Sequence, residues 1–532
     1  MNKKIIAVLA AGTLAVSAAA CLISCSVFPS EGLEMTLVNN GTAYTVKGLG
    51  TCQTRNIVIP SEYEGKPVTA IADRAFNDSD IQSVTIPDSV QTIGKMAFEG
   101  CKSLTSVSLG KGVKKLDSGA FYTCENLKSI TLPNSIEELG AYAFSNCESL
   151  TRVRIPDNAL LKEGTFSGCD RLTKIELGAG NDKYSLKDGN LYSLDGKKLL
   201  QYLASNTQTE FVVPDGVTEI DGYAFYDARN LQAVRMGNGV TKLGYRAFDR
   251  CINMKEVTLS EGVESIKQAT FMWCKSLERV VLPDSVREIG YEAFGNCQAL
   301  QAVYLGTGME RISDTAFDGC TNFHEVHAPS LQEWCEIYFH NITDNPLWKA
   351  GNLYFGEELV TNLVISEEIE LSGNPFVGCI SLKSVTVYKD EIVSGHFFQC
   401  ANLERLSVST DIGISGFRDM NFGNLAHLAF VEGSTPIQEL KESLQELKGL
   451  KTVVLPKSLV SIGKGVFGKD EWYKYKQLEG VYYCGSAEDW AKVTVAENNE
   501  RLDEATTYFY SETSPESSGN YWRYVDGVPT AW

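Results

Sequence analysis

Ten of the fifteen cysteines recur at one position of a repeating pattern: Cys101, Cys124, Cys147, Cys169, Cys251, Cys274, Cys297, Cys320, Cys379 and Cys400. Within each of the first two runs of four the step is 22 or 23 residues. A row of thiols could hold a metal, cross-link as disulfides or supply nucleophiles. If successive segments stack, neighbouring cysteines come about 5 Å apart, inside the Cα range of a disulfide. At the same position, however, other segments carry Ser79, Ala228 and Leu425. A ligand or disulfide partner could not be exchanged for alanine or leucine without loss, whereas a small buried filler could. The row is therefore read as reduced thiols inside a core. Cys52, Cys335 and Cys484 have no assignment, and no C-x-x-C pair points to zinc or redox chemistry.

The other reactive motifs are thin. His324-Glu-Val-His327 lacks the spacing of a zinc-protease helix and falls on a predicted strand, where it reads as exposed strand surface. Gly110-Lys-Gly112, Gly237-Asn-Gly239 and Gly306-Thr-Gly308 stand where other segments carry Pro-Asp-Ser, so they are turns rather than phosphate loops. Acidic pairs such as Glu367-Glu368 read as solvated loop residues, and no calcium loop or G-x-S-x-G occurs. The expectation is a protein without catalytic residues, metal or cofactor, not an enzyme.

These residues sit in a repeated sentence, L-x-x-V-x-L-P-x-S-V-x-x-I-G-x-x-A-F-x-x-C. Its phenylalanines are Phe76, Phe98, Phe121, Phe144 and Phe166, then Phe225, Phe248, Phe271, Phe294 and Phe317, with fainter copies at Phe376, Phe397, Phe422 and Phe467. Alternating apolar residues before the proline have the period of a strand with one buried face. Pro87-Asp-Ser89 and Pro283-Asp-Ser285 are turn chemistry that ends the strand. Ala293, Phe294, Cys297 and Leu300 then follow at helix-like spacing, which predicts a single tight turn on the opposite side. One such coil cannot bury its own apolar edge, so coils must stack into a parallel sheet with strands ~4.8 Å apart. About 14 coils predict a curved, mostly β rod roughly 65 Å long, with a phenylalanine ladder inside.

The pairing of L-x-x-V-x-L-P with I-G-x-x-A-F-x-x-C resembles the BspA-like class of bacterial leucine-rich repeats, over residues 35–532. The resemblance implies a leucine-rich repeat solenoid with parallel strands, hairpin insertions and terminal caps. It also implies a surface lipoprotein of a family suspected of binding host proteins or other cells. The expected layout is a lipoprotein signal peptide at 1–24, a short tether at 25–34 and an N-terminal cap at 35–75. Regular repeats at 76–177 and 212–330 enclose a hairpin insertion at 178–211. A second insertion at 331–362 precedes divergent repeats at 363–470 and an aromatic-rich C-terminal cap at 471–532. Both insertions are expected to protrude, and the polar stretch "STPIQELKESLQELKGL" reads as a short amphipathic helix.

The first residues are an address. Met1-Asn-Lys-Lys4 and the apolar run to Ile23 form an export signal, and Leu22-Ile-Ser-Cys25 resembles a bacterial lipobox whose cysteine becomes lipidated. Cys25 is thus the expected mature N-terminus, the rest of the chain lying outside the cytoplasm and touching the membrane only through lipid. No later segment has the ~20 continuous apolar residues of a membrane span. The net charge of −19, with no Lys/Arg-rich tract, argues against a nucleic-acid partner.

Residues flanking the buried valine of each strand must point outward. In the first three coils they are Ser83/Thr85, Ser106/Ser108 and Ser129/Thr131. Then come Arg152/Arg154, Lys174/Glu176, Ala233/Arg235, Glu256/Thr258, Arg279/Val281, Ala302/Tyr304 and Glu325/His327. The stripe turns basic and then aromatic against an acidic background, and Arg and Tyr are residue types that dominate protein interfaces. Arg152, Arg154, Lys174, Arg235, Arg279, Tyr304 and His327 are therefore the expected ligand-binding residues, in one or two patches. The expected partner is an extracellular protein or glycan, host or bacterial, met by a monomer. The alternative is a structural component of the envelope with no diffusible ligand.

Overall fold

The coil that begins at Arg279 shows how the repeat closes. Val280, Leu282, Val286, Ile289, Ala293, Phe294, Cys297 and Leu300 point inward, each at most 3% exposed. Strand Arg279–Val281 ends at Pro283, whose carbonyl accepts the Val286 amide in a tight turn. Two more extended residues, Glu288–Ile289, lead into the turn that carries the phenylalanine. That turn is not a helix, because Glu292 (φ 51°) and Asn296 (φ 60°) adopt the left-handed conformation. Left-handed residues break the i→i−4 ladder and aim backbone groups sideways. The Phe294 amide donates to Ala316 of the next coil at 2.9 Å instead.

This computed structural model describes residues 29–388, 396–409, 424–432, 436–441, 443–445, 447–468, 478–516, 518–525 and 528–532. The signal segment, Cys25 and Phe422 lie outside the described residues.

Coils stack in parallel register on two sides. Arg279, Ala302 and Glu325 align in one row, and Val280, Val303 and Val326 in the buried row beside it. The two-residue strands form a second parallel ladder, with Ser265, Glu288 and Arg311 in register. Between the ladders the phenylalanine rings stack face to face: Phe248–Phe271 at 5.2 Å, Phe271–Phe294 at 5.5 Å and Phe294–Phe317 at 5.4 Å, all within 10° of parallel. The glycine of I-G is required by this approach. A Cβ on Gly94 would lie 2.7 Å from the Ala72 carbonyl carbon, and one on Gly140 would lie 2.6 Å from that of Asp117.

The thirteen described cysteines are free thiols, and all but Cys484 are buried. In the row, every thiol but one donates to the phenylalanine carbonyl of the preceding coil, among them Cys124 to Phe98 at 3.2 Å, Cys274 to Phe248 at 3.2 Å and Cys320 to Phe294 at 3.0 Å. Cys379 instead lies 3.3 Å from the Ser381 hydroxyl. Burial pushes the Cys124, Cys147 and Cys169 thiols well above the usual range, so they remain S–H donors.

The solenoid has about 19 turns rather than 14, because several coils fill the ladder position with a residue other than phenylalanine. Residues 178–211 do not protrude. Tyr184–Lys187, Asn190–Ser193 and Lys198–Gln201 form an antiparallel meander whose last strand pairs in parallel with Glu219–Ile220. Tyr202 takes the ladder position, its ring 5.0 Å from Phe225. Residues 331–362 also join the stack: Trp334 is fully buried and donates through Nε1 to the Pro375 carbonyl at 2.9 Å. A chain leaving the stack would expose the apolar ends of two neighbouring coils, so each segment brings its own core residues.

Where an amphipathic helix is expected in 434–450, the described residues, 436–441, 443–445 and 447–450, form a coil. Glu439–Leu440 is a short strand paired with Ser461–Ile462, and Leu440, Leu444, Leu447 and Leu450 are buried in the common core. Their three- and four-residue spacing is that of the phenylalanine turn, which copies a helix face without forming one.

From Asn362 onward the outer strands form one nine-stranded sheet ending in the antiparallel hairpin of Tyr521–Val525 and Val528–Ala531. Trp522 closes this end, fully buried, with Nε1 donating to the Tyr483 carbonyl at 2.9 Å. Among the described residues, no helix is long and apolar enough to cross a membrane.

Candidate binding surfaces

The valine at the centre of each outer strand is buried, so its two neighbours face outward, and parallel register lines them up from coil to coil. Arg152 lies beside Lys174, and Arg154 beside Glu176. Part of this charge is already neutralised: Lys174 pairs with Glu176 at 2.5 Å, and Arg154 reaches Asn134 at 3.0 Å and Asp157 at 3.8 Å. Arg152 is exposed and has no hydrogen-bond or ion-pair partner among the described residues, although, with Lys174 the main cause, its charge helps to hold the Glu176 carboxyl down.

Arg235 does not join that group. Strands Arg152–Ile155 and Lys174–Leu177 form their own two-stranded sheet, and the meander intervenes before Arg235, which stands exposed between Val212 and Thr258. The stripe is thus divided. Arg279 is exposed one strand before Tyr304, and Tyr304 aligns with Val281 on one side and His327 on the other.

His327 departs from its reading as exposed strand surface. It is 4% exposed, with its ring stacked between Tyr304 at 4.0 Å and Tyr354 at 4.4 Å. Its Nδ1 lies 2.7 Å from the Gly356 carbonyl, so that nitrogen carries a proton, and Nε2 faces Glu325 at 3.3 Å. The three rings form a rigid slab on the outer face, with Arg279 and Glu325 in the adjacent row. Tyr354 was not legible as a member, because it lies in a segment without the repeat motif. Burial raises the Tyr304 and Tyr354 hydroxyls, which stay protonated as hydrogen-bond donors at neutral pH.

A second feature lies further along. A cleft of about 610 Å³ opens where the C-terminal hairpin folds over the face of the nine-stranded sheet. Its floor is two outward rows, Arg405–His427–Thr452 and Thr386–Ser407–Ala429–Val454. Ala429 is the smallest residue of its row and deepens the floor. Tyr388, Tyr510, Tyr524 and Pro529 form the walls. The fully buried Trp522 braces two of them edge-on, Tyr510 at 5.2 Å and Tyr524 at 4.8 Å. Sequence reading missed this site, although extending the outward pairs past His327 to Arg405/Ser407 and His427/Ala429 exposes its floor.

Two stacked parallel ladders, an internal phenylalanine row and a turn every 22 or 23 residues define a leucine-rich repeat solenoid. The family described as BspA type leucine rich repeat region matches in six copies, at residues 69–187, 201–324 and 350–472. The chain therefore belongs to the BspA-type leucine-rich repeat family. Among solved structures, it is similar to a leucine rich cell surface protein of Faecalibacterium prausnitzii, at 25% identity over 58% of this chain and 97% of that one, with a TM-score of 0.44. It is also similar to the pneumococcal vaccine antigen PcpA, at 16% identity over 77% of this chain and 98% of that one, TM-score 0.44. A leucine-rich repeat protein of Eubacterium ventriosum is 22% identical over 70% of this chain and 88% of that one, again with a TM-score of 0.44. No curated protein matches the chain.

Proposed function

We propose that this protein is a lipid-anchored, extracytoplasmic binding protein whose outer sheet face engages a protein or glycan on a host or neighbouring cell. The observation that carries the reading is the slab of Tyr304, His327 and Tyr354 beside Arg279. Rings stacked at 4.0 and 4.4 Å on a hydrogen-bonded sheet are held before any partner arrives. A preformed aromatic surface loses little conformational freedom on binding, and Tyr and Arg supply apolar area together with directional hydrogen bonds. Arg152 and Arg235 extend cationic character along the rod as separate contacts, while Arg154 and Lys174 are partly committed to their own ion pairs. With a net charge of −19, attraction to an acidic partner patch must be short-ranged. The anchor is Cys25, whose lipobox-like context supports lipidation.

The test compares wild type with a variant in which Arg152, Arg154, Arg235 and Arg279 are all changed to serine, in pull-downs from host extracellular extract. The expected result is loss of most recovered partner from a variant that still unfolds cooperatively. Unchanged partners and affinities would remove this face from consideration and favour a structural role in the envelope.

A further inference from the structure

We propose that the cleft beneath the C-terminal hairpin is a separate site for a carboxylated sugar of the sialic or uronic acid type. It uses different strands from the Arg279–Tyr354 surface and stands or falls independently of that reading. The first argument is charge. Arg405 and Lys457 line the cleft, and neither side chain has a hydrogen-bond or ion-pair partner among the described residues. The neighbouring Lys451, by contrast, is matched with Glu479 at 3.6 Å. Glu432 is the one carboxylate among the lining residues. Two unmatched cations in a concavity of so acidic a chain constitute a standing site for an anion, and the planar guanidinium of Arg405 fits a carboxylate through two parallel N–H bonds.

The second argument is the rest of the lining. Tyr388, Tyr510 and Tyr524 are each 38–43% exposed, an unusual degree for three rings around one cleft. The C–H face of a pyranose packs against such rings, while its hydroxyl edge needs small polar partners. Ser407, Thr386 and Thr452 supply them from the floor, and His427 Nδ1 lies 2.8 Å from Thr452 Oγ1. Burial, with Arg405 and Lys451 close by, holds the His427 pKa below its usual value, so it meets a sugar hydroxyl as a neutral group. A volume of about 610 Å³ suits a short oligosaccharide.

The third argument separates a sugar from a peptide. An extended peptide gains affinity by pairing its backbone with an open strand edge. The cleft lies over the face of the sheet, where the strands at Arg405 and His427 are already paired on both sides. The floor therefore offers side chains and no edge, and the terminal strand Val528–Ala531 meets the cleft through Pro529, which has no amide hydrogen to donate.

The experiment is calorimetric titration of the full chain with 3′-sialyllactose against lactose, and with digalacturonate against galactobiose. Wild type should bind at least one acidic sugar at least about tenfold more tightly than its neutral counterpart, as a charge-assisted hydrogen bond predicts. Whichever acidic sugar binds identifies the sialic or the uronic source. Arg405→Gln should abolish the acidic preference, and Tyr524→Ala should weaken binding of both members of the pair. Arg279→Ser, on the other surface, should leave the titration unchanged. The proposal is overturned if wild type binds neither acidic sugar, or binds acidic and neutral sugars equally. It is also overturned if Arg405→Gln keeps the preference while unfolding at the wild-type temperature, or if an acidic peptide competes away the sugar at lower concentration.

Discussion

At the scale of the residue, the thiol row shows why a position that tolerates alanine so often carries cysteine. A buried Cβ at that point satisfies the volume requirement, but a thiol also offers a hydrogen to the phenylalanine carbonyl of the coil before, which alanine cannot, as Cys297 does to Phe271 at 3.1 Å. The more consequential single residue is Asp249, 1% exposed, with one carboxylate oxygen 3.2 Å from Arg246 Nη1 and the other without a hydrogen-bond partner among the described residues. Burial pushes its pKa up to about 7, against the pull of Arg246 and Arg250. A carboxyl whose folded pKa exceeds its unfolded value of ~3.9 stabilises the fold most when protonated in both states. That contribution is complete below about pH 4, is lost as pH rises toward 7, and stays lost above it. Asp249→Asn should therefore be more stable than wild type at pH 8, by an amount on the order of 1–3 kcal/mol, with the difference vanishing near pH 4. Urea melts at the two pH values read it directly, and a pH-independent difference would refute the account.

At the scale of the element, the phenylalanine ladder is the main support of the stack. Phe271 is fully buried between Phe248 and Phe294, so Phe271→Ala removes two ring contacts at once. It should cost about 3–5 kcal/mol, by analogy with other large-to-small core changes. Phe271→Leu should recover a large part of that. Denaturant midpoints of the two variants provide the check, and equal losses would mean that the cavity is not the cause. The elements most easily misread were those that borrow another element's spacing. Leu440, Leu444, Leu447 and Leu450 have the intervals of a helix face. Left-handed residues turn that same pattern into a coil elsewhere, as at Glu292 and Asn296. Apolar periodicity reports which residues share a buried side; it does not report the backbone angles that put them there.

At the scale of the whole molecule, a stack of coils has only nearest-neighbour contacts, so its ends are its weak points. One end is closed by the Trp522 hairpin; the other leads back toward Cys25, which lies outside the described residues. Lipid on Cys25 should hold the protein to a membrane that its polar surface would not enter, with two acyl chains giving stable retention. In detergent phase separation the mature wild type should partition with detergent and Cys25→Ala with water. A variant that remains with detergent would place the anchor elsewhere in the chain.

The sequence by itself determined the coil, its buried residues and the side of each strand that faces out, because these follow from interactions within one coil or between adjacent coils. Arg279 and Tyr304 could be placed on neighbouring outward positions for that reason, and the structure places them there. It could not show that His327 would be covered, since the covering ring of Tyr354 comes from a segment that abandons the repeat and still joins the sheet. Nor could it bring Arg405, His427 and Tyr524 to one cleft. Tyr524 gets there because a terminal hairpin folds over the sheet face, a contact between residues far apart in the chain that no local period encodes. Local periodicity is written in side-chain volume and polarity at fixed intervals. Which distant surfaces meet is decided by the registers, twists and end contacts summed over every coil between them, and those exist only once the chain has stacked.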